Sequence, residues 1–189
     1  MSPDARLRIY PMVVLATLFA VVVVVTLSSD GNAIQSGRLG GDLPEFVGAG
    51  RIVADGDAAD LYDPARQLEA QADLFVDEGA GGILFAYPAV VAAPYAAGAD
   101  LGFSTIYLLH TAVMVLAVVL SARLLVDRLP LTRGTAWIPL GLAVTLTFQP
   151  MFIGVFNGQT TGLVLLGLVA VWVLASDDRD VLADRKSVV

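Results

Sequence analysis

The stretch LGFSTIYLLHTAVMVLAVVLSA, Leu101–Ala122, runs for 22 residues without one Asp, Glu, Lys or Arg. Wound as a helix at 1.5 Å per residue, it reaches about 33 Å, enough to cross a hydrocarbon layer of roughly 30 Å. Four further stretches carry no charge: Ile9–Leu27, Ile83–Ala99, Thr135–Phe156 and Thr160–Ser176. All 11 basic and 18 acidic residues lie outside these five stretches. In hydrocarbon, a single helix satisfies all its own backbone N–H and C=O groups without water. The expected fold class is therefore an all-α integral membrane protein forming one multi-span domain over 1–189. Spans are expected at 9–27, 101–122, 135–156 and 160–176. Pro88 and Pro94 interrupt 83–99, which reads as a span or as a re-entrant segment.

Composition points the same way. The chain has 189 residues, 57% apolar and 15% charged, with mean hydropathy +0.76. Soluble domains run to about 45–50% apolar and about 25% charged. A net charge of −7 gives no electrostatic reason to bind nucleic acid. The absence of Cys excludes disulfides, thiolate metal sites and Cys nucleophiles, and a single His leaves little for a histidine metal site or a triad.

Arg6 and Arg8 precede the first apolar stretch, and Ser28-Ser29-Asp30 is a poor cleavage site. The stretch reads as an uncleaved signal anchor with a cytoplasmic N-terminus in the plasma membrane. That puts 28–82 on the outer face, with 11 acidic and 3 basic residues. If all five stretches span, Arg123, Arg128 and Arg133 fall outside, against the positive-inside rule. If 83–99 only dips into the membrane, they are cytoplasmic, and Phe156-Asn-Gly-Gln159 shares the outer face with the acidic loop.

Two helix starts stand in that loop. Asp42-Leu-Pro-Glu45 combines a capping residue, a first-turn proline and a glutamate at the capping-box position, followed by Leu43, Phe46, Val47 and Gly50 at helical spacing. Asp63-Pro64 opens a second helix, with Leu68, Ala72, Phe75 and Val76 on one face. Both are expected to lie along the membrane surface, apolar face down. Gly79–Gly82 reads as a flexible return to the bilayer.

Several residues could carry chemistry. Asp42 reads either as a helix cap or as a carboxylate that takes a proton from a substrate hydroxyl. Tyr87 reads as an interfacial anchor or a site residue. Asn157 and Gln159 could hydrogen-bond sugar hydroxyls, though Asn-Gly is also a turn signal. His110 is expected to hydrogen-bond a neighbouring helix. Arg51 and Arg66 could meet a lipid phosphate or be solvated helix residues. Asp55, Asp57, Asp60 and Asp63 do not have EF-hand spacing and read as a turn between helices.

Taken in order, Gly41-Asp42-Leu43-Pro44-Glu45-Phe46, Ala49-Gly50-Arg51, Gly56 to Leu61-Tyr62-Asp63-Pro64, Phe85-Ala86-Tyr87-Pro88, Pro150 and Asn157-Gly158-Gln159 resemble the amino-terminal part of glycosyltransferase family 87. That family includes mannosyltransferases of phosphatidylinositol mannoside and lipoglycan synthesis. The resemblance implies a GT-C membrane fold. It also implies transfer of a sugar, mannose in the leading reading, from a polyprenyl-phosphate donor to a lipid-linked or glycan acceptor on the outer side of the membrane. Asp42 matches the family's general base, and Tyr87 and Gln159 stand at motif positions. Glu45, Arg51, Tyr87, Asn157 and Gln159 are the expected substrate-binding residues. No metal or other cofactor is indicated, and the partners are membrane lipids, donor and acceptor. The chain departs from the family pattern in having Ala89 after Tyr87-Pro88 and Leu43 after Asp42. It also stops after the fifth apolar stretch, as an amino-terminal fragment would. The alternatives are a non-catalytic membrane subunit or scaffold and, last, a transporter, since the spans hold His110 but no charged residue.

Overall fold

The computed structural model describes residues 3–28, 40–74, 82–126, 128 and 137–176. Every regular element among them is helical. The helices are α1 (Pro3–Ser28), α2 (Leu43–Ala54), α3 (Pro64–Gln71), α4 (Ala93–Ala96), α5 (Phe103–Val126), α6 (Trp137–Thr147), α7 (Gln149–Asn157) and α8 (Thr161–Ser176). Single 3-10 turns occur at Ala58–Asp60, Ala72–Leu74 and Ala89–Val91. The described chain forms two compact units, one from Ala20–Ala112 with Ile153–Gln159, the other from the remainder.

In the first unit α2 is the core. Leu43, Phe46, Ala49 and Ile52 have no exposed surface, and Leu61, Phe85, Ala92, Ile106 and Tyr107 close around them. α3 and α4 both pack on α2. Gly50 permits the α4 contact: a Cβ there would stand 2.6 Å from the Tyr95 carbonyl carbon. This differs from a helix resting on a surface with its polar face exposed, because residues 43–50 and Ile52 are all buried. The sequence around Phe85 and Tyr95 supplies the second wall that periodicity within α2 could not reveal.

α3 begins where expected, with the Asp63 carboxylate accepting from the Arg66 backbone N–H at 3.0 Å. Its buried face is different from the expected one. Leu68 and Ala72 are exposed, whereas Gln67, Gln71 and Leu74 are buried. Two glutamines turn inward because the neighbouring segment 83–85, which has no regular structure, leaves peptide groups to satisfy. The Phe85 N–H donates to Gln67 Oε1 (2.8 Å), and Gln67 Nε2 donates to the Leu61 carbonyl (2.6 Å). Gln71 Nε2 donates to the Ile83 carbonyl at 2.9 Å. Buried amides thus do for 83–85 what a sheet partner would do. The expected continuation through Phe75 and Val76, residues 79–81 of the expected return, and Arg133 lie outside the described residues.

The 83–99 stretch contains no span-length helix. It has no regular structure as far as Pro88, with a bend at Tyr87, then makes a 3-10 turn and forms the four-residue α4. Pro88 and Pro94 cannot donate backbone hydrogen bonds inside a long helix. In contrast, all but the first two residues of 101–122 lie continuously within α5, and Phe103–Leu125 is long and apolar enough to cross a membrane. The expected helix at 135–156 is divided at Phe148 into α6 and α7, with Pro150 as the second residue of α7. A proline there leaves one carbonyl of the preceding turn without its N–H donor and favours a new helix start. α8 fills 161–176.

In the second unit α5 and α8 cross closely. A Cβ on Gly162 would stand 2.6 Å from the Met114 carbonyl oxygen. Met114, Ala117, Val118, Val169 and Val173 are buried, while Leu116, Leu120, Val164, Leu168, Val171 and Leu174 are exposed. α1 carries exposed apolar residues on several sides, among them Ile9, Met12, Val13, Phe19 and Val24.

Candidate active site

The site lies within the first unit, at the N-terminus of α2. Asp42 occupies the N-cap position, but its side chain makes no capping bond to the helix. Its backbone N–H donates to the Asn157 carbonyl at 2.8 Å, and the Gly40 N–H donates to the Phe156 carbonyl at 2.6 Å. The turn after α7 therefore docks onto the turn before α2. Gly158 closes the docked turn with φ +77, and a Cβ on it would lie 2.8 Å from Leu43 Cβ. A left-handed φ and a close backbone approach both select glycine here. The Asn-Gly signal is a turn, as its bland reading held, and that turn also delivers Gln159. Gln159 Nε2 donates to Asp42 Oδ2 at 2.5 Å. The carboxylate is thus held by a residue 117 positions away rather than by its own helix.

Glu45 stands one turn into α2 and is 6% exposed. Burial first, and the Asp42 carboxylate second, push its carboxyl up to about 7. Two carboxyl groups in neighbouring positions thus have different environments: Asp42 half-buried under an amide donor, Glu45 enclosed. Enclosure favours the protonated form of Glu45 near neutrality.

Aromatic rings wall the site. Phe46 packs against Tyr87, Tyr95 and His110, with ring centroids 4.9, 5.3 and 6.2 Å apart. Tyr87 is half-buried, and its carbonyl accepts from the Tyr62 hydroxyl at 2.9 Å. His110 bonds out of its own helix, as expected: Nδ1 meets the Tyr95 hydroxyl at 2.7 Å and Nε2 the Gln159 carbonyl at 3.2 Å. The structure therefore brings Asp42, Glu45, Tyr87, Asn157 and Gln159 together. Asn157 contributes a backbone carbonyl, the group on which Asp42 is anchored.

Arg51 does not join them. It lies nine residues along α2 from Asp42, roughly 13 Å by helix rise. Its guanidinium grips Asp73 through both terminal nitrogens, at 2.5 and 3.1 Å, and donates to the Ala70 carbonyl at 2.9 Å. These bonds tie α2 to the end of α3 and the turn after it. Arg66 is engaged likewise, by Asp55, Asp57 and Glu69 at 3.0–3.1 Å. That accounts for two of the clustered aspartates, and Asp63 is the α3 cap. Among the described residues no group of three or more His, Asp or Glu side chains could hold a metal ion.

Tyr95 is the site residue that sequence reading missed. Its signal was available: a tyrosine with a proline before it, inside a charge-free stretch that no straight helix could fill. Comparison with known protein families, with curated proteins and with solved structures finds no match for this chain.

Proposed function

We propose that the chain belongs to a membrane glycosyltransferase of the GT-C type. It would move a sugar, mannose in the leading reading, from a polyprenyl-phosphate donor to a lipid-linked or glycan hydroxyl on the outer side of the plasma membrane. The observation that carries the reading is the hydrogen bond from Gln159 to Asp42. It joins two of the motif segments on which the resemblance to glycosyltransferase family 87 rests, and it holds the Asp42 carboxylate from outside its own helix. The apolar outer faces of α1, α5 and α8 support a lipid setting. A non-spanning 83–99 supports a topology in which Arg123 and Arg128 are cytoplasmic and the Asp42 site is external.

Asp42 accepts the proton of the acceptor hydroxyl as that oxygen attacks the anomeric carbon. The new C–O bond forms as the bond to the phosphate oxygen breaks, and polyprenyl phosphate departs with the electron pair. One base and no covalent intermediate suffice for this inverting displacement. Gln159 keeps one carboxylate oxygen engaged and so orients the other. Tyr87, half-buried above Phe46, offers ring surface on which a sugar can pack.

The test is label transfer in membranes from radiolabelled polyprenyl-phosphate-mannose, comparing wild type with Asp42→Asn. Asparagine keeps the amide bond partner and the helix start but removes the base. Transfer lost in the variant supports the enzyme and its base. Transfer that survives removes Asp42 from that role. No transfer from any polyprenyl-linked sugar by inserted wild-type protein leaves a membrane scaffold as the better account.

A further inference from the structure

We propose that Tyr95 and His110 are a positioning pair that fixes Gln159 and, through it, the Asp42 carboxylate; the consequence for catalysis rests on the glycosyltransferase reading. Three hydrogen bonds in series connect the groups: Tyr95 hydroxyl to His110 Nδ1 (2.7 Å), His110 Nε2 to the Gln159 carbonyl (3.2 Å), and Gln159 Nε2 to Asp42 Oδ2 (2.5 Å).

The direction of the chain follows from its one obligate acceptor. The Gln159 carbonyl can only accept, so His110 Nε2 carries a proton. A neutral ring then leaves Nδ1 as an acceptor, and the Tyr95 hydroxyl is its donor. One carbonyl thus selects the imidazole tautomer and the hydroxyl rotor together. The same carbonyl ties down the peptide from which the glutamine side chain reaches out. The Gln159 N–H is held from the other side by the Gly154 carbonyl at 2.8 Å. A long amide side chain gains little directional precision unless its backbone is clamped, and here both peptide groups flanking its Cα are. His110 is itself 6% exposed, and Phe46 and Tyr95 lie against its ring. Its imidazole has little room to turn, so removing either bond is felt at Asp42 rather than absorbed locally.

His110 is the single histidine of the chain, so labelling with nitrogen-15 histidine gives one imidazole spectrum. In lipid bilayers at neutral pH, solid-state NMR is expected to find the neutral ring protonated at Nε2. Tyr95→Phe, which removes the donor to Nδ1, is expected to shift the Nδ1 resonance and mix the tautomers. A ring protonated at Nδ1 alone, or a spectrum unmoved by Tyr95→Phe, overturns the relay. Its effect on chemistry is read by kcat and KM of label transfer. Glutamine carries an amide nitrogen near the position of Nε2, whereas asparagine is too short to reach the Gln159 carbonyl. His110→Asn is expected to lower kcat on the order of 10- to 100-fold with little change in KM, the cost of a misplaced group. His110→Gln is expected to recover most of that loss. Equal losses in the two variants overturn the positioning role. Absence of transfer by wild type counts against the enzyme reading alone, and the imidazole spectrum then decides the relay.

Discussion

Replacing Glu45 by glutamine should make the protein more stable at pH 7.5 than wild type, and the advantage should vanish near pH 4.5. The carboxyl titrates at about 7 in the folded chain against 4.5 for an unperturbed glutamate, because burial and then Asp42 oppose its ionisation. The pKa is raised, so the folded state keeps a proton that the unfolded chain has already released. Between pH 4.5 and 7 the folded state binds more protons, and stability falls as pH rises. The contribution of the protonated carboxyl is complete below the unfolded pKa and is lost as pH passes through the folded one. A shift of this size corresponds to an upper limit of roughly 3 kcal/mol. The neighbouring Asp42 is half-open to solvent, and screening reduces the expected loss to about 1–2 kcal/mol. The groups facing Glu45 are Asp42 from the same turn and Tyr95 from α4.

Glutamine has nearly the same shape and stays neutral, so the wild-type-minus-variant difference cancels most other titrations. The assay is unfolding in detergent micelles, followed by far-UV circular dichroism, for both proteins at half-unit steps across that range. The expected result is a difference that grows by about 1–2 kcal/mol in favour of Glu45→Gln as pH rises. Parallel curves refute the reasoning, as does a wild type that gains on the variant with rising pH. The first would mean that Glu45 is solvated in the folded protein, the second that the fold favours its ionised form.

Three further outcomes follow from the same packing. Gly158→Ala forces a methyl group against Leu43 at a left-handed φ, and should cost about 1–3 kcal/mol in the same unfolding assay. Gln67→Ala strips the Phe85 N–H and the Leu61 carbonyl of partners in a buried place, and should cost about 2–3 kcal/mol. Amide exchange at Phe85, measured by NMR, should quicken in that variant while exchange inside α5 does not. Arg51→Ala removes an ion pair whose acidic partner is exposed, and should change stability by less than about 1 kcal/mol.

The elements that proved legible were those whose signal is local. The charge-free run at 101–122 becomes α5, and the Asp63-Pro64 start becomes α3 with its cap in place, because span length and capping are set within a few residues. The failures share a cause in partners supplied from elsewhere. Leu68 suggested the buried face of α3, yet Gln67 and Gln71 took it, because a segment fifteen residues on needed amides more than it needed a leucine. The α2 helix looked half-exposed until Phe85 and Tyr95 covered it.

Asp42 shows why the site itself was only half legible. Its flanking sequence is that of a cap, and its position is that of a cap, but the side chain is turned to Gln159. A carboxylate that serves its own helix spends its acceptor oxygens on backbone N–H groups of the first turn. Here that local use is forgone. The turn is steadied instead by backbone bonds to Phe156 and Asn157. An arrangement that anchors the backbone with other groups, and holds the carboxylate by a single amide, costs helix stability and leaves the second oxygen for another proton donor. Structural demand alone would have favoured the cap. The departure from it is the strongest physical support for the proposal that Asp42 serves chemistry rather than folding.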